Sequence, residues 1–272
     1  MKKFYKLKTD AVFKAIFCKE ENKDILERLI EEAIDKKVEI IKLEVPELIK
    51  KNIYVRGKTL DVLVKSDNKL INIEVNSETN SSLKRRNAAF IFAKYSEITK
   101  VGESYSEMPD VIQINLTTDE YLPMVSKYTV FDIENKKNYI DNLSIYEFNI
   151  LKIKEICYNK SDKYCLMSLL DCNLKDLNKI KGAKFMDNEL KDMVSRVVDE
   201  TKYLNEDTEF VKFMSDEDED RLYINTMKAE GKKEGEKEEK ILITKSMLDK
   251  NYDMKEISEI TGLSIEEIEN LK

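Results

Sequence analysis

Residues 60–76 read LDVLVKSDNKLINIEVN, two apolar runs separated by a short polar turn. The runs Leu60–Lys65 and Leu70–Val75 alternate with period two, which suits half-buried β-strands. Between them, Asp67 and Asn68 form the centre of a tight hairpin turn, because Asp and Asn tolerate positive φ. That turn places Asp61 opposite Glu74 and Thr59 opposite Asn76.

Opposed side chains on a pleated pair lie about 4.5–5.5 Å apart at Cβ, and like charges placed so are destabilising. One carboxyl can take up a proton, a basic side chain can intervene, or a divalent cation can bind both acids. Hard oxygen donors suit Mg²⁺ or Mn²⁺. The bland alternative is an acid that points to solvent or pairs with Lys65 or Lys69. Against it stands the setting of Glu74, flanked by Ile71, Ile73 and Val75 and followed by a helix that must fold back over the strand. The shared cation is the preferred reading.

The 272 residues suffice for one domain of about 200 residues plus an appendage. With 37% charged residues, six Gly and three Pro, the composition favours long solvated helices over an all-β protein. No apolar run approaches the roughly 18 residues that span a bilayer, and the opening MKKFYKLKTD lacks a signal-peptide hydrophobic region. A cytoplasmic protein without a membrane partner is expected. Cys18, Cys157, Cys165 and Cys172 show no CxxC pairing and there is no His, so a zinc site and a disulfide framework lack support. The absence of His also removes Ser-His and Cys-His nucleophilic arrangements. Any catalysis falls to carboxylates, Lys, Tyr and metal-bound water.

A net charge of −7 argues against non-specific coating of nucleic acid, yet Lys84, Arg85 and Arg86 follow the acid pair closely and allow a local basic cleft. Thr9 is a candidate cap for a helix over Asp10–Cys18, on which Asp10 and Lys14 share a face. A second helix over Asp24–Asp35 precedes strand-like stretches at Val38–Val45 and Ile53–Val55. A helix from Leu83 to about Lys100 separates the Glu74 strand from VIQINL, Val111–Leu116, which suggests a crossover to a parallel neighbour. Tyr146–Ile150 adds an edge strand, and helices dominate from Asp162 to Tyr203. The result is an α/β protein with a mixed sheet, helices on it and a helical C-terminal extension.

Lys228–Lys240 is a charged connector, followed by short amphipathic helices at Ile241–Leu248, Met254–Ile260 and Ile265–Leu271. Ser264 and Glu267 form a capping box for the last. This tail has the pattern of a helix-turn-helix, but Glu266, Glu267 and Glu269 would be repelled by phosphates. Packing or self-association, hence a homo-oligomer through the C-terminal helices, is favoured over DNA reading there. The expected partition is a core at 1–155, a helical extension at 156–227, the connector at 228–240 and the small tail at 241–272.

Taken together, four features resemble the PD-(D/E)xK nuclease-family transposases, or recombination-promoting nucleases. They are Asp10 in TDAVFKAIF, Asp61 with Glu74, Arg86-Asn87 in the next helix, and Gly102 with Tyr105 leading to VIQINL. The connector EGKKEGEKEEK and the ending ITGLSIEEIENL also look like that family's. The resemblance implies a restriction-endonuclease-like core with a four-stranded mixed sheet. It implies Mg²⁺ held by Asp61, Glu74 and the carbonyl of Val75, with Asp10 brought towards the metal, and hydrolysis of DNA linked to recombination or mobile elements. Asn76 stands where the superfamily has Lys and this branch usually Gln. It can hydrogen-bond an attacking water but carries no charge. Lys14 or Arg86 is then the source of positive charge, and both are candidate DNA contacts. Phe90, where the family tends to have Tyr, is a second departure. The alternative is a nuclease-fold protein that has lost turnover and serves as a DNA-binding, regulatory or assembly module.

Overall fold

The computed structural model describes residues 3–44, 62–76, 82–98, 104–158 and 160–271. They fall into two compact units, Met1–Asp207 and Thr208–Lys272. In the first, helices α1 (Asp10–Phe17) and α2 (Lys23–Ile34) precede strands β1 (Ile40–Glu44), β2 (Val62–Ser66) and β3 (Lys69–Asn76). Helix α3 (Leu83–Glu97) leads to β4 (Asp110–Thr117), β5 (Val125–Thr129), a small ribbon of β6 (Phe131–Asp132) and β7 (Lys137–Asn138), and β8 (Leu143–Asn149). Helices α4 (Ile150–Cys157), α5 (Cys165–Leu169), α6 (Leu174–Lys181) and α7 (Asn188–Glu206) complete the unit.

The main sheet runs β1-β2-β3-β4-β8-β5. Its β2–β3 hairpin pairs Val62 with Ile73 and Ser66 with Lys69, the register expected from a turn at Asp67-Asn68. Asn68 takes a φ of 47° there, and its carbonyl accepts the Asp110 N–H at 2.9 Å, tying the turn to the start of β4. Helix α3 is the expected crossover, because β3 and β4 are parallel from Lys69↔Asp110 to Asn76↔Thr117. The architecture is the mixed α/β core anticipated above.

Two expectations need correction. The sheet has six strands among the described residues where four were implied, and β8 lies inside it, because β5 pairs antiparallel along its outer side. Strand β5 carries no apolar alternation, since Lys127, Tyr128 and Thr129 are exposed, and so leaves no period-two signal. The expected stretch at Ile53–Val55 lies outside the described residues.

One face of the sheet is largely apolar: Val62, Val64, Ile71, Ile73, Ile114, Leu116 and Phe148 are buried. Burial of each such side chain is worth about 1.5–3 kcal/mol. Phe148 meets the Tyr164 ring edge-on at 5.7 Å, so the segment leading into α5 covers this face. Helix α2 grips α5 through Glu32, whose carboxylate accepts the N–H groups of Leu166 at 2.9 Å and Met167 at 3.2 Å, two of the amides that a helix start leaves without partners. Burial, offset in part by those N–H groups, pushes its carboxyl up to about 8.

The opposite face is graded along the strands. Where β4 and β8 begin, Val111 and Leu143 pack against Ile91 of α3, with Tyr95, Ile98 and Ile145 around them. Further along, in register, come Asn72 and Gln113, then Glu74, Asn115 and Glu147, then Asn76, Thr117 and Asn149. An apolar end gives way to a polar one within about three residue pairs.

Thr9 occupies the N-cap position of α1 in extended conformation, but its side chain makes no capping hydrogen bond; its carbonyl accepts the Phe13 N–H at 2.9 Å. All four cysteines are buried free thiols, and burial pushes Cys18, Cys165 and Cys172 up to about 12. Among the described residues no helix is long and apolar enough to cross a membrane.

In the second unit, Thr208–Asp249 is a single helix α8 of 42 residues, followed by α9 (Met254–Thr261) and α10 (Ile265–Glu269). Ile241–Leu248, expected as a separate helix, is therefore its last part. Gly231 and Gly235 each disfavour helix by about 1 kcal/mol relative to Ala, which does not interrupt it. Pairing of Lys232 with Glu236 at 3.8 Å one turn on works the other way. The Ser264–Glu267 capping box is present.

Candidate functional site

Glu74 sits near the C-terminal end of β3, and Arg86 projects from the first turns of α3, which begins just beyond that strand. Arg86 Nη2 donates to Glu74 Oε1 at 2.8 Å and to Asn76 Oδ1 at 2.9 Å. One guanidinium thus binds two side chains that period-two spacing places on the same face. Of the two cations considered as the source of positive charge beside Asn76, the one in contact is Arg86. The arginine is 60% exposed while Glu74 is 18% exposed, so the site opens to solvent on the helix side. Glu74 Oε2 has no hydrogen bond among the described residues.

Asp10 and Lys14 pair with each other along α1, at 3.0 Å, and the lysine is almost wholly buried. Val75, half-buried, lies between Glu74 and Asn76 in the β3–β4 ladder. Asp61 lies outside the described residues, as do Thr59 and Gly102. The described hairpin register runs up to Val62↔Ile73, the pair next to the expected Asp61–Glu74 position. Among the described residues no three His, Cys, Asp or Glu side chains converge as a metal cage. The donors that are present, the carboxylate of Glu74 and the carbonyl of Val75, are hard oxygens of the kind that fits a divalent cation.

Beside this group lies a feature that sequence reading missed. Asn72 Nδ2 donates to Gln113 Oε1 at 2.8 Å, and Gln113 Nε2 donates to Asn115 Oδ1 at 2.8 Å, a chain of buried amides that runs along the polar face. Asn72 Oδ1 and Asn115 Nδ2, at its two ends, have no partner among the described residues, and neither has Asn76 Nδ2. Both amides, with the buried Glu147, line a cavity of about 150 Å³ at the ends of β3, β4 and β8. Tyr128 Oη donates to Glu147 Oε2 at 3.0 Å, and Lys84 approaches the same oxygen at 3.7 Å. The signal was present in alternation alone, since VIQINL puts Gln113 and Asn115 on one face. Gln113 lies on β4, and Tyr105 is 80% exposed.

An acid and an amide two residues apart on a strand, with a basic helix residue over both, is the arrangement to which the resemblance pointed. Comparison with curated proteins and with solved structures yields no match. Residues 7–230 match the family model of the PD-(D/E)XK nuclease family transposases, a family of nucleases linked to mobile elements whose wider superfamily typically uses divalent metals. With most of its length so matched, the chain belongs to the PD-(D/E)XK nuclease family transposases.

Proposed function

We propose that this chain is a Mg²⁺-dependent DNA endonuclease, with Mn²⁺ as a substitute, linked to recombination or mobile elements and acting in the cytoplasm. The observation that carries the reading is the contact of Arg86 with both Glu74 and Asn76, which brings a positive charge to the motif position where the superfamily keeps Lys. In this reading the core is 1–155, and Asp61, Glu74 and the Val75 carbonyl hold the metal, with Asp10 nearby. When bound, the ion supplies an activated water and charge stabilisation at the phosphodiester.

The side chains do the rest. Asn76 positions the attacking water through its amide. Arg86 neutralises charge that builds up on the phosphate oxygens, as a preorganised donor does at low cost in reorganisation. Lys14, held by Asp10, adds positive potential under the strand of DNA. The acidic C-terminal helices serve self-association.

Incubation of wild type, D61A and E74A with supercoiled DNA, with Mg²⁺ or with chelator, tests the proposal. Only wild type with Mg²⁺ is expected to nick or linearise the plasmid. Cleavage that survives either substitution or the chelator rejects it. A second reading is favoured by the same ion pair: a guanidinium already on Glu74 neutralises the acid without a metal, as in a nuclease-fold protein kept for binding or regulation. Plasmid binding without cleavage by pure wild type selects that reading.

A further inference from the structure

We infer that a lysine patch, made by Lys6 and Lys8 before α1 with Lys3, Lys175 and Lys202 beside them, holds the phosphate backbone of duplex DNA next to the proposed cleavage site. The inference rests on the nuclease reading above for its partner, but it comes from residues that the proposed chemistry does not use. Lys6 and Lys8 pair with one and the same oxygen, Asp171 Oδ1, at 2.9 Å and 2.8 Å. Two like charges therefore stand less than about 6 Å apart and share a single carboxylate. Lys154, on α4, lies 3.6 Å from the other oxygen and donates to the Asp171 carbonyl at 3.0 Å. Of these three ammonium groups, only Lys154 has a second carboxylate among the described residues, that of Asp176 at 3.1 Å.

The acid is buried, whereas the side chains of Lys6 and Lys8 are 35% and 25% exposed. An ammonium group carries three donors, and each of these two spends one on Asp171, so the rest are open to a further acceptor. The backbone fixes the pair in place. The Lys8 N–H donates to the Leu170 carbonyl at 2.8 Å, and Asn205 of α7 accepts the Tyr5 N–H at 2.7 Å and donates to the Tyr5 carbonyl at 3.0 Å. The residues before α1 are thereby tied on one side to the segment that leads into α6 and on the other to α7. Beside those ties a cavity of about 360 Å³ sets Lys3, Lys175 and Lys202 against a single acid, Glu206. Lys202 has Asp199 at 3.8 Å, whereas the exposed Lys175 has no ion pair among the described residues.

Charge and position together name the partner. In a chain of net charge −7, this concentration of lysines suits a polyanion, whose phosphates supply the acceptors that Asp171 alone does not. Asn76, Thr117 and Asn149 stand side by side on β3, β4 and β8, a span of about 10 Å, and Asn149 caps α4. Lys154 is about 7.5 Å further along that helix. The patch thus begins within about 20 Å of Asn76, roughly half a turn of duplex. That proximity favours DNA over an anionic membrane, since a duplex seated over Glu74 is long enough to reach the lysines.

The test uses the full chain, with chelator present so that nothing is cut, and a fluorescent duplex of about 30 base pairs, three helical turns. Anisotropy titrations at several salt concentrations compare wild type with K6Q/K8Q, K175E and D171N. Each lysine that meets a phosphate adds about 0.9 to the slope of log affinity against log salt. K6Q/K8Q should therefore lower the slope by about two and weaken binding by about tenfold or more, and K175E should weaken it about fivefold. D171N removes the acid and keeps the lysines, so it should tighten binding, which no loss of folded structure produces. A slope unchanged in K6Q/K8Q overturns the inference, as does lysine-dependent binding to phosphatidylserine vesicles without lysine-dependent binding to DNA. If K6Q/K8Q does not fold, wild-type affinity in both K175E and D171N overturns it. Wild type that cleaves plasmid, with a slope the substitutions do not move, removes this inference and spares the nuclease reading. A lysine-dependent slope in a chain that never cleaves removes the nuclease reading and leaves the patch standing.

Discussion

The two ends of the sheet face under α3 are built from the same strands and covered by the same helix, yet they differ in kind. Where β4 and β8 begin, Ile91, Val111 and Leu143 close a dry cluster in which every contact adds to stability. Two to three pairs further on come Glu74, Asn76, Asn115 and Glu147, and the Nδ2 atoms of Asn76 and Asn115 are buried without a partner among the described residues. A protein under selection for stability only would extend the apolar end upward. The polar end is the part on which the proposed chemistry draws, and the apolar end packs α3 on the sheet near where Arg86 reaches Glu74.

The contrast breaks most visibly at the acids. Under the proposed chemistry, E74A and D61A each lower the plasmid cleavage rate by on the order of 10³ or more, with circular dichroism and melting temperature close to wild type. Next in size is the converse. I91A opens a cavity in the dry cluster and costs about 2–5 kcal/mol in urea denaturation, while the cleavage rate well below the melting temperature stays near wild type. If I91A instead cut activity as deeply as E74A, the two ends would not be separable.

Arg86 sits on the boundary and sharpens it. R86A is expected to reduce cleavage by roughly 10² with little change in stability, because its contacts are half exposed, and R86K is expected to recover part of the rate. No recovery with Lys would mean that the reach of Nη2 to both Glu74 and Asn76, not the charge, is what counts.

How far the sequence carried this picture depends on the range of the interaction. The hairpin register followed from Asp67-Asn68 and alternation, the crossover from an intervening helix, and the last cap from Ser264 and Glu267, all of them signals within a few residues. Strand β5 was illegible because an exposed edge needs no apolar period. The interior place of β8 went with it, and α8 ran on through two glycines that local propensity marks as weak points. At the site, Glu74, Asn76 and Arg86 were each nameable, but the hydrogen bonds of Arg86 to both were not, since they depend on where α3 lands on the sheet. Asn115 and Glu147 were overlooked because their burial beside one another at the end of the sheet, with Asn115 Nδ2 lacking a partner among the described residues, is revealed only by packing.

The smallest effect concerns the scaffold beneath the apolar face. Glu32 has its carboxyl raised to about 8 in the folded protein from an ordinary 4.5, so the native state binds this proton more tightly than the unfolded chain. Its contribution to stability is full below the ordinary value and is lost as pH rises through about 8. Urea midpoints at about pH 6 and about pH 9 should therefore fall further apart for wild type than for E32Q. An unchanged gap would mean that Glu32 stays ionised while it caps α5.

The central claim is that Glu74, with Asp61, is a cation ligand rather than only an ion-pair partner of Arg86. Titration of Mn²⁺ into the full chain, followed by the loss of its free-ion electron paramagnetic resonance signal, addresses it without reference to any substrate. Saturable binding by wild type that is abolished in both E74Q and D61N is the predicted result. Binding by those variants equal to wild type, or none by wild type, would contradict it.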